Sequence, residues 1–394
     1  MQYRRFGRTE LNMPVFSCGG MRYQQTWQDG RPDPLDADGQ RNLEAVIRRA
    51  FELGINHIET ARGYGSSEYQ LGFILPQLPR DQLIVQTKIG PKESRDAFLE
   101  TFDVSMAYLK LDYVDLCAVH GLNNRELLEQ TLTGGTLQAL RELREQGRVR
   151  HIGFSTHGPT EDIVAAIETD AFDYINLHWY YFRQEHWPAI LAARRHDMGV
   201  FIISPTDKGG HLHSPPPRLV NLCAPLTPIG FNDLFCLMHE QVHTLSIGAA
   251  RPSDFDAHLE ILPLLEQARR HVEPIDSDLR KALADRHGTD WAAHWDKNLP
   301  TFADAPGGVP IYNMLRLYNL ATAYDMVDFA RDRYNLHGRD DHWVPGNKID
   351  GLDRDALAAQ LAGHPLADRI PAALDAAHAL LDAPPGERLS EASD

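Results

Sequence analysis

The chain alternates short, mostly apolar runs with longer stretches in which apolar residues recur every three or four positions. The apolar runs lie at 15–20, 55–58, 83–87, 113–119, 149–154, 174–177, 200–204 and 244–247. Each is too short for a helix and too continuous for a strand with one wet face, so the pattern predicts strands buried on both sides. Helical periodicity fills the gaps, over 41–53, 95–109, 124–145, 159–169, 185–195, 231–242 and 252–262. Eight such units over ~250 residues predict an α/β fold of the (β/α)8 barrel type. An open doubly wound sheet is the alternative. It lacks support because the run Gly19-Gly20-Met21-Arg22 after the first strand does not form a GxGxxG turn. The polar, turn-rich residues 3–11 predict a hairpin closing the bottom of the domain. Past residue 268 the strand pattern stops. Helical stretches at 276–286, 312–334, 354–361 and 370–381, separated by Pro/Gly loops, predict a mostly helical extension over 269–382 beside a barrel of 1–268. Residues 383–394 read as a disordered tail.

Composition narrows the function without naming it. Over 394 residues, 43% hydrophobic and 24% charged positions fit a soluble globular protein. A formal net charge of -16 argues against nonspecific nucleic-acid binding and against an anionic membrane surface. The four cysteines, Cys18, Cys117, Cys223 and Cys236, form no CxxC pair, which excludes a disulfide framework and a cysteine-based metal site. The first residues contain no apolar signal core, so the cytoplasm is the expected compartment.

The chemistry gathers at the strand ends. The strand at 55–58 runs into Glu59 and a loop with Tyr64 between two glycines. Ser66 and Ser67 then offer a helix N-cap. The next strands run into Lys88, then His120, then Ser155 with His157. In a (β/α)8 barrel these positions share one rim, where active sites lie. A tyrosine, a lysine, a carboxylate and a histidine at one mouth suit proton transfer to a carbonyl oxygen. The ammonium would lower the phenol pKa, the carboxylate would hold the ammonium, and a neutral imidazole would orient the substrate oxygen. None of these is an activated nucleophile. His211 and His213 form a tempting HLH pair, but they sit in a Pro-rich loop after the seventh strand. A metal-dependent barrel hydrolase would place such a pair after an early strand, so no metal site is expected.

The segments ETARGYGSSE, VQTKIG, DLCAVHG, IGFSTH and LSIGAARPSDFDAHL, in that order, together with the opening YRRFGRTELNMPVFSCGGMR, resemble the aldo-keto reductase superfamily over roughly residues 1–265. The resemblance implies NADP(H) lying across the barrel mouth and a small carbonyl or alcohol substrate. It places the family's Asp, Tyr, Lys and His tetrad on Glu59, Tyr64, Lys88 and His120, with Glu59 where the family usually has Asp. It implies cofactor contacts from Gly20, Met21 and Arg22, and from Ser155 and Asn176 to the carboxamide. Trp179 would stack on the nicotinamide, and Ser204, Lys208 and Gly210 would follow the pyrophosphate. Gly248, Arg251, Asp254 and His258 would sit at the adenosine end. Arg251 is suited to a 2′-phosphate that an inward Asp254 would repel, so NAD(H) stays open. The extension resembles a helical appendage that carries ferredoxin-like cysteine motifs in a subgroup of that superfamily. No cysteine follows Cys236, so no iron–sulfur cluster is expected. A nicotinamide-nucleotide-binding protein of the same fold with little catalysis is the alternative function.

Overall fold

The computed structural model describes residues 1–339 and 341–384. Its strands are β1 (Tyr3–Arg5), β2 (Asn12–Pro14), β3 (Phe16–Gly19), β4 (His57–Glu59), β5 (Ile84–Ile89), β6 (Val114–Val119), β7 (Val149–Ser155), β8 (Tyr174–Leu177), β9 (Gly199–Ile202) and β10 (Thr244–Ile247). β1 and β2 pair antiparallel as the expected hairpin, and β3 to β10 form a closed parallel barrel in chain order, with β10 returning to β3. The sheet therefore has no free edge.

Period-two alternation fills the barrel in layers. The bottom is apolar: Phe6 and Met13 from the hairpin segment pack on Ile84, Leu116, Ala118, Tyr174 and Phe201. The Phe6 ring lies where a side chain on Gly199 would stand. Above it, Ser17 Oγ bonds His57 Nδ1 at 2.7 Å and Thr244 Oγ1 at 2.6 Å, all buried. The rim residues Glu59, Lys88, Ser155 and Asn176 come next on the same inward-facing sides.

Several elements depart from the pattern. The stretch 124–145 forms two helices, Arg125–Thr133 and Thr136–Glu145, because Gly135 takes φ +101° between them. The stretch 252–262 winds as short turns, Pro252–Phe255 and Asp256–Leu259, rather than as one helix. Ser66 precedes the helix Ser67–Leu71 but makes no side-chain cap; its Oγ instead accepts from Gln25 N at 2.9 Å and so holds the 24–27 loop.

The extension begins with the helix Ala268–His287 and includes Ile311–Tyr324, Val327–Tyr334, Arg354–Gln360 and Arg369–Leu381. It docks on the loops that follow β8 and β9, at the rim end. Buried Arg316 donates to Phe182 O at 3.1 Å, Tyr181 Oη donates to Asp276 Oδ1 at 2.8 Å, and Arg218 Nε donates to Ala323 O at 2.6 Å. Met326 packs against Gly210, whose φ is +138°. From residue 385 onward, the expected tail lies outside the described residues; Ala383 N donates to Asn335 Oδ1 at 3.0 Å. Among the described residues, no helix is long and apolar enough to cross a membrane.

Candidate active site

Adjacent strands β4 and β5 bring Glu59 and Lys88 into direct contact, the ammonium against Oε1. Both are almost fully buried, at 3% and 1% exposure. Lys88 Nζ also donates to Thr60 O at 2.8 Å. The loop after β4 turns through Gly65 (φ +52°) and swings Tyr64 back over the rim, where its hydroxyl donates to Glu59 Oε1 at 3.4 Å. The Tyr64 ring lies under the Lys88 ammonium, 4.4 Å from centroid to Nζ. It meets the His120 ring edge-on, with centroids 5.6 Å apart. Glu59, Tyr64, Lys88 and His120 thus converge from the ends of three consecutive strands, β4, β5 and β6.

Their electrostatics differ from the sequence expectation in one respect. The ammonium sits over the face of the phenol ring, not against its oxygen. Burial dominates and pushes the Tyr64 phenol up from its ordinary value. The same burial pushes the Lys88 ammonium well down, and the Glu59 carboxylate in contact is what favours its charged form. Tyr64 therefore rests as a neutral phenol, the form that can donate a proton.

Ser155 and Asn176 are register partners on β7 and β8. Ser155 Oγ accepts from Gly121 N at 3.1 Å. Asn176 is fully buried, and among the described residues neither its Oδ1 nor its Nδ2 meets a hydrogen-bond partner. The unmet donor and acceptor of this buried amide match those of another amide, as a nicotinamide carboxamide would offer. Gly20 packs tightly on Glu59 O, and Met21 follows it half-buried. Arg22 crosses above Gly248 and pairs with Asp207 at 2.9 Å. Ser204 takes φ +53° and accepts from Lys208 N at 3.1 Å, so the 204–210 loop is wound tightly at the mouth.

Three positions lie away from where the resemblance would place them. Trp179 lies outside the barrel. On β8, Tyr174 and Asn176 point to the axis; beyond its end, the Trp179 ring packs among the helices. Its indole is 2% exposed, stacked on Phe235 (5.1 Å) and beside Trp187 and His239. His258 is buried with Nδ1 bonded to Asp233 Oδ2 at 2.5 Å, which pins its turn to the helix Pro228–Leu237. Asp254 points neither inward nor free: Oδ2 accepts from Ala250 N and Arg251 N, and Oδ1 pairs with exposed Arg251 at 3.1 Å.

Other mouth residues escaped the sequence reading. His178 Nδ1 meets Tyr180 Oη at 2.5 Å, and Tyr180 Oη donates to Ile203 O at 2.6 Å. His178 Nδ1 must then be the donor, which leaves Nε2 to accept from His157 Nε2 at 3.4 Å. Burial pushes the His178 imidazole well down, consistent with this neutral tautomer. Trp27 packs edge-on to Tyr64, and Trp343 of the extension packs on His120 and His157. Period-two alternation after Asn176 could have found His178. No local pattern marks Trp343. His211 has Asp207 at 3.8 Å and Asp332 at 3.9 Å, and among the described residues no group of three or more metal-ligating side chains converges.

Comparison with known proteins bears on the family and the fold. L-glyceraldehyde 3-phosphate reductase of Escherichia coli (strain K12) is 30% identical over 176 residues, 40% of this chain and 46% of that protein. The match thus spans about half the length of that curated relative. Two solved structures share the fold. The holo form of the aldo-keto reductase AKR11C1 from Bacillus halodurans has a TM-score of 0.56 at 22% identity, covering 70% of this chain and 96% of its own. An aldo-keto reductase from Klebsiella pneumoniae in complex with NADPH has 0.51 at 18%, covering 70% and 89%. The model of the aldo/keto reductase family matches residues 16–213. That half of the sequence runs from β3 past β9 and holds all four converging side chains, so the chain belongs to the aldo/keto reductase family.

Proposed function

We propose that this chain is an oxidoreductase that moves a hydride between NADP(H) and the carbonyl of an aldehyde or ketone. The supporting observation is the Glu59–Lys88 contact against Tyr64, with the His120 ring edge-on to the phenol. The reduced nicotinamide, when bound, supplies the hydride. The residues supply the rest. Tyr64 gives its hydroxyl proton to the carbonyl oxygen as negative charge develops there. Lys88 stabilises the phenolate left behind, and Glu59 holds Lys88 in place. His120 directs the carbonyl toward Tyr64. Asn176 and Ser155 would hold the carboxamide, and Arg22 and Lys208 would face the phosphates.

The preference for NADP(H) over NAD(H) rests on Arg251, the cation beside the adenosine end, and its pairing with Asp254 weakens it. We take residues 1–268 as the reductase unit and 269–382 as its extension. The four buried, unpaired cysteines suit the cytoplasm. The test is NADPH consumption over a panel of carbonyl compounds, with Tyr64→Phe as the variant. Turnover should fall by about 100-fold or more while NADPH affinity stays unchanged. Retained turnover in the variant would remove Tyr64 from its role.

A further inference from the structure

The extension reaches into the site. Its turn is gathered at the neck, where Gly338 N donates to Gly346 O at 2.9 Å. Beneath the turn, His337 Nε2 meets Asn313 Nδ2 at 2.7 Å, and Asn313 Oδ1 accepts from buried Arg316 at 2.7 Å. Beyond the neck, Trp343 N donates to Asp341 Oδ1 at 2.6 Å. His342 Nδ1 accepts from Asn123 Nδ2 at 2.9 Å, while Asn123 Oδ1 accepts from His157 N at 2.6 Å. Asn123 thus ties the extension to the loops after β6 and β7. The Trp343 ring then occupies the space above Gly121, where a Cβ would lie 2.5 Å from its ring edge. Glycine at 121 (φ +77°) makes that approach possible.

The result is a continuous arc of ring contacts around the mouth. Trp27 meets Tyr64 at 6.5 Å, Tyr64 meets His120 at 5.6 Å, and His120 meets Trp343 at 5.2 Å. Trp343 meets His157 at 5.2 Å, and His157 meets His178 at 4.5 Å. The reacting pair sits in the middle, with an indole on either side. A carbonyl held by Tyr64 and His120 would present its body to the indoles that neighbour them, Trp27 and Trp343. Aromatic faces favour a flat or ring-shaped partner through stacking and CH contact, and they add little for a short chain.

We propose that Trp343 is a specificity-determining wall of the substrate site, selecting aldehydes and ketones that carry a ring next to the reacting carbon. The proposal rests on the oxidoreductase reading above. Its test compares kcat/KM for benzaldehyde and for propanal with NADPH, in the wild type, Trp343→Ala and Trp343→Phe. The wild type should favour benzaldehyde. Trp343→Ala should shrink that preference by about 10-fold, through KM rather than kcat, with NADPH affinity unchanged. Trp343→Phe should restore most of it, which a merely structural role for the indole would not do. An unchanged benzaldehyde-to-propanal ratio in Trp343→Ala overturns the assignment and leaves the oxidoreductase reading standing. Absence of wild-type turnover across a full carbonyl panel overturns both.

Discussion

The Arg22 guanidinium, on the loop after β3, meets the Asp207 carboxylate, on the loop after β9, at 2.9 Å over the end of β10. Both side chains are about one-third exposed, so the pair itself contributes at most about 1 kcal/mol. Its importance is positional. Arg22 is the cation that a pyrophosphate crossing the mouth would meet, and Asp207 both engages it and repels the phosphates. Asp207→Asn should therefore tighten NADPH binding by about fivefold, with a smaller gain at high salt. Titration of the purified variant checks this; weaker binding would show that Asp207 supports the cofactor instead.

The Glu59 carboxylate touches the Lys88 ammonium and also accepts from the Tyr64 hydroxyl. Removing one member of a buried ion pair costs about 3–5 kcal/mol, because the other is left charged in a dry site. Glu59→Gln should lower unfolding free energy by about that amount, whereas Glu59→Gln with Lys88→Met should recover much of it. Urea unfolding of the two single variants and the double closes the cycle. Additive losses would mean that the contact is not an energetic unit.

Much of this site was legible in the sequence, because strand-end positions are set by local pattern. An apolar run followed by one polar residue places that residue on the rim, and this located Glu59, Lys88, His120 and Ser155. Side-chain direction was less legible. Asn176 lies on β8 and faces the axis, whereas Trp179 follows two residues past the strand end, and its ring packs among the helices. Trp343 was illegible for another reason. It lies in a polar Gly/Pro loop with no periodicity, more than 200 residues from His120, and only tertiary packing brings the two together. The helices 124–145 and 252–262 failed locally, where glycine and proline outweighed apolar spacing.

His57 gives the fold a pH dependence. Burial beside Ser17 pushes its imidazole down to about 3, against roughly 6.5 in an unfolded chain. Below pH ~6.5 the unfolded state binds the proton and the folded state does not. The stability that His57 contributes is thus fully present above that pH and is lost as pH falls toward about 3. Buried His337, pushed to about 3, and His186, pushed to about 4, act in the same direction. Unfolding free energy should fall between pH 6 and pH 4. His57→Gln should reduce that slope by about 1.4 kcal/mol per pH unit, the value for one proton. An unchanged slope would mean that His57 titrates normally in the folded chain.

His258 and Asp233 separate a structural role from a cofactor role. Both are buried and bonded at 2.5 Å. His258→Ala should destabilise the fold by about 3 kcal/mol, since Asp233 keeps a buried carboxylate without its partner. NADPH affinity, measured below the variant's unfolding temperature, should match the wild type. A selective loss of affinity with stability intact would return His258 to the adenosine end.

Tryptophan fluorescence distinguishes the two sides of the barrel wall. Trp179 is packed against Phe235 and Trp187 among the helices, while Trp27 and Trp343 stand beside Tyr64 and His120 at the mouth. A nicotinamide bound against Asn176 would lie on the mouth side, so its quenching should come from Trp27 and Trp343. Trp179→Phe should keep most of the NADPH-induced fluorescence change, and Trp27→Phe and Trp343→Phe should each diminish it. The Trp179 substitution should also lower stability by about 1–2 kcal/mol, because a smaller ring leaves the Phe235 and His239 contacts underfilled. If Trp179→Phe abolished the optical change instead, the ring would have to reach the nicotinamide, and the inward and outward faces of β8 would need to be exchanged.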